Sequence, residues 1–140
     1  MPQFDRMEDQ LAYLIASVNR QLEEQLEEGL RPDGLAIEQF RVINALSSAD
    51  GRPMRDLASV VFVDPATLTK IIDRMVADAM VYRAPDPKDR RKVLIFLSGK
   101  GKALYARHRK MLDDQQERLV ERLSAAKVTE FTALLKKFGL

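Results

Sequence analysis

The sequence predicts a mainly α-helical protein that contains one small β-hairpin. Apolar residues recur every three or four positions along most of the 140 residues, which is the period of amphipathic helices. Two runs, "MVYRAP" and "KVLIFLS", are instead rich in residues that favour strands. The charged stretch "DPKDRRK" separates these runs and predicts an exposed hairpin tip that is longer than a two-residue turn. The chain has the length of one domain.

The composition argues against several kinds of chemistry. The chain has no cysteine, which excludes disulfides and thiolate sites, and its single histidine, His108, argues against a zinc site. No glycine-rich stretch has the spacing of a phosphate-binding loop, and no apolar run reaches the roughly 18 residues that span a membrane. We therefore expect no enzymatic activity, no cofactor and no bound metal. The absence of cysteine also fits a cytoplasmic location.

Positive charge is concentrated in one part of the chain. The net charge is +2, but residues 1–34 carry −5, residues 35–100 carry +3 and residues 101–140 carry +4. Residues 83–102 hold seven lysines and arginines against two aspartates. Clustered positive charge is typical of a surface that binds a polyanion. A solvated charged face is the alternative that charge alone leaves open.

The N-terminal half of the chain predicts four helices. The first extends over residues 5–28 and ends at Gly29, and a second, short helix lies between the "RPDG" turn and Gly51. A third, short helix starts with Pro53. The fourth has the clearest start, because Asp64 can cap it and the proline that follows suits its first position. In this helix we expect three core residues, namely Leu68, Ile71 and Met75.

The C-terminal part predicts two further helices, of which Ser98 can cap the first, a long one, while the last extends over about residues 127–138. These two and the first helix are long for so small a core. Their apolar stripes need a partner, and a second copy of the chain is the economical one. Packing on each other within one chain is the alternative. The residues expected at the dimer contact are Leu11, Leu14, Leu119, Leu123, Phe131, Leu134, Leu135 and Phe138.

Three short helices followed by a hairpin are the parts of a winged helix-turn-helix, in which the hairpin is the wing. We expect residues 35–100 to form this lobe, with an N-terminal dimerisation helix in residues 1–34 and C-terminal dimerisation helices in residues 101–140. The fourth helix would enter the major groove of double-stranded DNA, because polar residues lie early in its length. Those residues are Thr67, Thr69, Lys70 and, one turn later, Arg74. A dimer of this kind would read an inverted repeat.

A specific pattern supports this interpretation. A D-x-R motif, an apolar strand and L-[ST]-x-x-G follow a helix that contains "TLTK", and they are met by Asp89, Arg91, Leu97, Ser98 and Gly101. With "LAIEQFRVINAL" and the order of elements, this pattern resembles the MarR (multiple antibiotic resistance regulator) family over about residues 10–138. The resemblance implies a homodimeric transcription factor, often a repressor, that small and often aromatic or anionic ligands release from DNA.

The resemblance also assigns roles to residues of the wing and the fourth helix. Arg91 matches the family's wing-tip arginine, which enters the minor groove, and Asp89 matches the acid that pairs with it. Arg90 falls at a variable position, and we interpret it as a phosphate contact. An exposed ion pair that only stiffens the loop is the alternative for Asp89 and Arg91. The contacts expected on the fourth helix are Ala66, Thr67, Thr69, Lys70 and Arg74.

The sequence departs from the family pattern at two turns. Phe62 stands in the turn before the fourth helix, where the family often has glycine. Either this turn avoids a positive φ, or Phe62 packs against the first helix. After the fourth helix, where glycine is again usual, Ala79 or Met80 must take the same role.

Ligand sensing in this fold would involve residues between the dimerisation helices and the DNA-binding lobe. The candidates are Tyr13, Ser17, Arg20, Phe40, Arg41 and His108. An anionic effector would bind an arginine. The alternative is that Phe40 is a core residue, that both arginines lie on the surface and that His108 belongs to the apolar stripe of its helix with a satisfied ring.

One alternative function is a winged-helix module that binds other proteins and lacks specific DNA affinity, because a fold alone does not determine function. It predicts that charge changes at Lys70, Arg90 and Arg91 are tolerated. The basic bias of the hairpin region argues against it.

Overall fold

The computed structural model describes residues 5–140 and confirms the predicted fold class, a mainly α-helical chain with a small antiparallel sheet. Within these residues the helices are α1 (Leu11–Leu30), α2 (Ile37–Ser48), α3 (Met54–Val61), α4 (Pro65–Ala77), α5 (Gly99–Leu123) and α6 (Ala125–Lys136). The strands are β1 (Arg52–Pro53), β2 (Val81–Pro85) and β3 (Val93–Leu97). Short 3₁₀ turns lie at Met7–Asp9 and Arg31–Asp33. The order helix–helix–helix–hairpin in residues 37–97 is that of a winged helix-turn-helix.

Both ends of the first helix differ from the prediction. Helix α1 begins at Leu11 and not at residue 5, because Gln10 is extended and separates the helix from the preceding 3₁₀ turn. Gly29 does not end the helix, which continues through Leu30. That leucine is fully buried, so burial of its side chain extends the helix past the glycine. The "RPDG" stretch then forms the second 3₁₀ turn, and Gly34 has the left-handed φ of 62°.

The sheet has three strands instead of the predicted two. Strands β2 and β3 form the predicted hairpin, from Val81 opposite Leu97 to Pro85 opposite Val93. Strand β1 pairs with the other edge of β3, so the order is β1-β3-β2. Pro53, which was predicted to begin the third helix, lies in this edge strand and precedes α3 as its extended N-cap. A two-residue strand is too short to show any periodicity in the sequence.

The core of the lobe is formed by one face of each helix and the inner face of the sheet. Leu57, Leu68, Ile72, Met75 and Ile95 are each fully buried. The prediction was confirmed for Leu68 and Met75 but was wrong for Ile71, which is only half-buried. Its neighbour Ile72 takes the core position, because the elements packed on α4 cover the side of the helix on which Ile72 lies with Leu68 and Met75.

The L-[ST]-x-x-G motif forms the joint between the sheet and α5. The Ser98 hydroxyl accepts a hydrogen bond from the Gly101 amide at 3.0 Å, which confirms it as the cap of this helix. The same hydroxyl donates toward the carbonyl oxygens of Ala79 and Met80, at 2.5 and 2.8 Å. The Met80 carbonyl also accepts from the Ser98 amide at 3.1 Å. A β-carbon at Gly101 would lie 2.2 Å from the Met80 oxygen, so only glycine fits there without a shift.

Both turns that depart from the family pattern adopt left-handed backbone. Phe62 has a φ of 61° and its side chain is 84% exposed, so both interpretations of this residue were wrong. The turn has a positive φ without glycine, and the phenyl ring does not pack in the core. Of the two residues considered after α4, Ala79 takes the role, with a φ of 59°. Each of these residues carries a conformational cost of about 1–2 kcal/mol that glycine would avoid.

We expect Ala79→Gly to stabilise the protein. Glycine removes the left-handed penalty at this position but adds conformational freedom to the unfolded chain, so the net gain should be about 0.5–1 kcal/mol. Chemical denaturation would measure the free energy of unfolding. Ala106→Gly, at an exposed position within α5, is the matched control and should lose about 1 kcal/mol. Destabilisation by both substitutions would contradict the assigned strain at Ala79.

The chain divides into two compact units, one that runs up to His108 and a second that is Arg109–Leu140. In the second unit α6 begins at Ala125, two residues before the predicted start, because Ser124 caps it by accepting from the Lys127 amide. No helix among residues 5–140 is long and apolar enough to cross a membrane.

Candidate nucleic-acid interface

The start of α4 is organised by Asp64. One carboxylate oxygen of Asp64 accepts from the Thr67 amide at 2.9 Å, and the other accepts from the Thr67 hydroxyl at 2.6 Å. Pro65 occupies the first helical position, where its missing N–H costs no hydrogen bond. The predicted cap is therefore confirmed, and it sets the direction in which α4 leaves the turn.

All five residues predicted as contacts on α4 are exposed, namely Ala66, Thr67, Thr69, Lys70 and Arg74. Both threonine hydroxyls already donate within the protein, since Thr69 donates to the Pro65 carbonyl at 3.0 Å and Thr67 donates to Asp64. What they offer to a ligand is their methyl groups and the remaining lone pairs of their oxygens. Arg74 lies 3.5 Å from the Asp78 carboxylate, and 76% of its side chain is exposed, so it can reach a phosphate.

The Asp64 carboxylate has a lowered pKa. The hydrogen bond from the Thr67 hydroxyl is the largest cause, followed by the one from the Thr67 amide, because both stabilise the ionised form. A carboxyl group whose folded pKa is depressed stabilises the fold above its unfolded pKa, and this contribution is lost as the pH falls through the folded value.

We therefore expect Asp64→Ala to lower the melting temperature at pH 7, and this deficit should shrink as the pH falls below 4. Asp64→Asn, which keeps a capping oxygen but cannot ionise, is the matched control and should remain closer to the original protein at pH 7. Thermal unfolding followed by circular dichroism from pH 3 to pH 7 would measure both. A deficit that does not depend on pH would contradict the role of the ionised cap.

The wing loop between β2 and β3 is held by its own aspartates. Asp86 accepts from the Lys88 amide at 2.9 Å, and Asp89 accepts from the Arg91 amide at 3.1 Å. Within residues 5–140, the Asp89 carboxylate does not form the expected ion pair with the Arg91 guanidinium. The carboxylate orients the loop through the backbone and leaves the guanidinium exposed. Arg90 is exposed beside it.

Helix α4 and the wing are joined by an ion pair that was not predicted from the sequence. Nη2 of Arg83, in β2, lies 2.5 Å from Oδ1 of Asp73, in α4. An acid on the exposed face of a helix expected to meet phosphates is the signal that could have drawn attention to it. Asp73 and Arg83 are ten residues apart and lie in different elements, so no helical or strand periodicity relates them. The partner of Asp73 could therefore not be predicted from the sequence.

The predicted effector residues are engaged in contacts within the protein. Arg20 pairs with Glu24 at 3.1 Å, and Arg41 of α2 pairs with Glu23 of α1. The pKa of Glu23 is lowered, mainly by the hydrogen bond from the Arg41 side chain. Ser17 donates to the Tyr13 carbonyl at 2.7 Å, and the ring of that tyrosine is exposed.

His108 and Phe40 form a packed contact. Both are buried, and their rings meet edge to face with centroids 6.4 Å apart. Nε2 of His108 lies 2.5 Å from Oδ2 of Asp33, whose other oxygen accepts from Arg107 at 2.9 Å. The pKa of Asp33 is lowered, first by the hydrogen bond to His108 and next by the one from Arg107. This arrangement agrees with the alternative of a core phenylalanine and a satisfied histidine.

A groove of about 370 Å³ lies elsewhere, in the C-terminal unit. Its lining contains none of the predicted effector residues and consists of Gln116, Val128, Thr129, Thr132, Ala133 and Lys136. No cluster of three or more acidic or histidine side chains that could hold a metal lies among residues 5–140.

The fold and this interface define a winged-helix DNA-binding protein. A family model described as the MarR family matches residues 33–92. The multiple antibiotic resistance protein MarR of Escherichia coli K12 is 34% identical over 128 residues, which cover 91% of this chain and 89% of that protein. The homoprotocatechuate degradative operon repressor of Escherichia coli is 30% identical over 104 residues, which cover 74% of this chain and 70% of that protein.

The chain is also similar to a relative whose structure was solved in complex with DNA. The crystal structure of a mutant MarR from Escherichia coli complexed with operator DNA matches with a TM-score of 0.84 at 30% identity, over 98% of this chain and 99% of that one. The chain belongs to the MarR family of transcriptional regulators, since the alignment with MarR, at 34% identity, covers 91% of the chain. It is therefore a regulator and not an enzyme.

Proposed function

We propose that this protein is a homodimeric, cytoplasmic repressor that binds an inverted-repeat operator. The observation that carries the proposal is the exposed polar start of α4 beside a wing loop that contains four basic residues in seven. A helix in the major groove with an arginine-bearing wing in the adjacent minor groove would read sequence and shape together. The relative named as an operon repressor and the relative crystallised with operator DNA support the same role.

The dimer rests on apolar surface that the single chain leaves exposed. On α1, Leu11 is 60% exposed and Leu14 is 43% exposed. In the C-terminal unit Phe131 and Phe138 are 49% and 70% exposed. Leu123 and Leu134 are also exposed, whereas Leu119 and Leu135 are half-buried. Monomeric proteins seldom leave so many large apolar side chains in water, so a second copy is the partner we propose.

On α4 we propose a division of roles. Ala66, Thr67 and Thr69 would contact base edges through their methyl groups. The two threonines would also offer hydroxyl lone pairs, because their hydroxyl hydrogens are already used. Lys70 and Arg74 would contact phosphates, since they lie further along the helix. In the wing, Arg91 would enter the minor groove, Arg90 would contact a phosphate, and Asp89 would hold the loop through the backbone.

A small-molecule effector is the remaining part of the proposal. An anionic ligand near α1 and α2 would compete with Glu23 for Arg41 or with Glu24 for Arg20, because each guanidinium is already paired with a carboxylate. Screening aromatic carboxylates for release of bound DNA would test this part. Binding of an active compound should weaken in Arg41→Gln, and an unchanged response in both Arg41→Gln and Arg20→Gln would exclude this site.

Selection of duplex DNA from a random pool, repeated at two salt concentrations, tests the central proposal. We expect an enriched inverted repeat whose half-site centres are about one helical turn apart. Affinity should fall by about 0.9 log units per phosphate contact for each log unit of salt. Salt-dependent binding without an enriched sequence would contradict the operator, and no binding at low salt would favour the protein-interaction module.

A further inference from the structure

We propose that the ion pair between Asp73 and Arg83 is a positioning element for DNA recognition. It would hold α4, the proposed recognition helix, and the wing at the separation at which both meet DNA at once. This inference rests on the proposed DNA-binding function. It gives Asp73 and Arg83 a role in that function without a direct contact with DNA.

The geometry links the two elements directly. Asp73 lies on the exposed face of α4, and Arg83 lies in the middle of β2, where it is paired with Ile95 of β3. Because Ile95 is fully buried, the backbone of Arg83 is fixed in the sheet from which the wing loop extends. A contact of 2.5 Å between Nη2 and Oδ1 therefore ties the body of the wing to one side of the helix.

The position of Asp73 is unfavourable for DNA binding on charge alone. Residues seven apart share a helix face, so Asp73 lies on the same face as Ala66, and it follows Lys70 by three residues. A carboxylate there repels phosphates, and it would lower affinity unless it were neutralised or served another purpose. The Arg83 guanidinium supplies the neutralising charge. The Asp73 side chain remains 60% exposed and the Arg83 side chain 37% exposed.

Stability does not account for the pair, since exposed ion pairs contribute little to the free energy of folding. A role in DNA affinity accounts for the pair. A protein that must place two elements in two grooves loses less entropy on binding when the separation of those elements is already set. In the proposal, the pair sets this separation between the C-terminal half of α4 and the middle of β2.

The test asks whether removing the negative charge of Asp73 strengthens or weakens binding to DNA. Removing a negative charge from a DNA-binding face should strengthen binding if electrostatics alone act. We expect Asp73→Asn to weaken binding to the selected operator instead, by about fivefold or more. Arg83→Gln should weaken it by a similar factor, and the double variant should bind no worse than either single one, because the three changes remove the same contact. Fluorescence anisotropy at fixed salt would measure the affinities.

Asp56→Asn is the matched control, because it removes an exposed carboxylate from α3 of the same lobe. It should leave affinity unchanged or raise it. Tighter or unchanged binding of Asp73→Asn would overturn the proposal. So would a loss confined to Arg83→Gln with a smaller salt slope, which would make Arg83 a phosphate contact. A changed base preference in Asp73→Asn alone would make Asp73 a base reader and would overturn it as well.

A second measurement does not depend on an operator and separates failure of this inference from failure of the proposed function. The chain has no cysteine, so Ala77→Cys in α4 and Lys88→Cys in the wing can carry two spin labels without background. Pulsed electron paramagnetic resonance should give a narrow distance distribution in the parent protein and a broad one after Asp73→Asn. Equal widths would overturn the positioning role even if operator binding were established.

Discussion

Gly101→Ala is expected to destabilise the protein by about 2–3 kcal/mol, the cost of forcing a methyl group into a filled space. The new β-carbon would lie 2.2 Å from the Met80 carbonyl oxygen and 2.9 Å from Cδ2 of Leu97. The carbonyl cannot easily move, because it accepts hydrogen bonds from both the amide and the hydroxyl of Ser98. Urea denaturation would measure the loss.

Gly99→Ala is the matched control for this prediction. It lies in the same helical turn, but a β-carbon at Gly99 would meet nothing within 4 Å. We expect it to leave stability unchanged or slightly raised, since alanine is the better helix former. Equal losses in the two variants would show that the close approach at Met80 is not what requires glycine in this motif.

Arg91→Ala is expected to weaken operator binding by about 10- to 100-fold, the range lost with one charged contact in a groove, without a change in the unfolding curve. The guanidinium is exposed and its loop is held by backbone hydrogen bonds to Asp89, so the side chain can be removed without disturbing the wing. Electrophoretic mobility shift or anisotropy titrations at a fixed salt concentration would give the ratio of affinities.

Three further variants define what this arginine does. Arg122→Ala, at an exposed position in α5, removes the same charge far along the chain and should change affinity little. Arg91→Lys keeps the charge but not the planar donor, and it should recover only part of the loss. Arg90→Ala, as a phosphate contact, should weaken binding to all sequences alike. Equal losses in Arg91→Ala and Arg122→Ala would rule out a specific role for the wing tip.

The sequence predicted those elements whose signals are local. The cap and proline that begin α4 are adjacent in the chain, and the hairpin is defined by two apolar runs around one charged tip. The pattern of the wing and of L-[ST]-x-x-G carried the family, and the comparisons confirmed it. The reason is physical, because capping, strand alternation and close backbone approach each act over a few residues.

Other features depend on residues that are distant in sequence. Strand β1 exists only because two residues meet the free edge of β3, and Ile72 replaced Ile71 in the core because the neighbouring elements determine which side of α4 is covered. The same holds for the pairing of His108 with Asp33, 75 residues away. The same dependence explains why Arg41 lies beside Glu23, a residue 18 positions away in the chain.

The sequence by itself predicted the winged helix-turn-helix, because this fold follows from local periodicity and caps. A motif of fixed spacing carried the resemblance to the family, and that resemblance implied the wing residues expected to meet DNA. Only the tertiary structure decided that Phe62 and Ala79 keep left-handed turns without glycine, and that Asp89 holds the wing through the backbone. It alone joined Asp73 to Arg83. Such contacts are determined by how helices and sheet pack, and packing brings together side chains whose separation in the chain has no period.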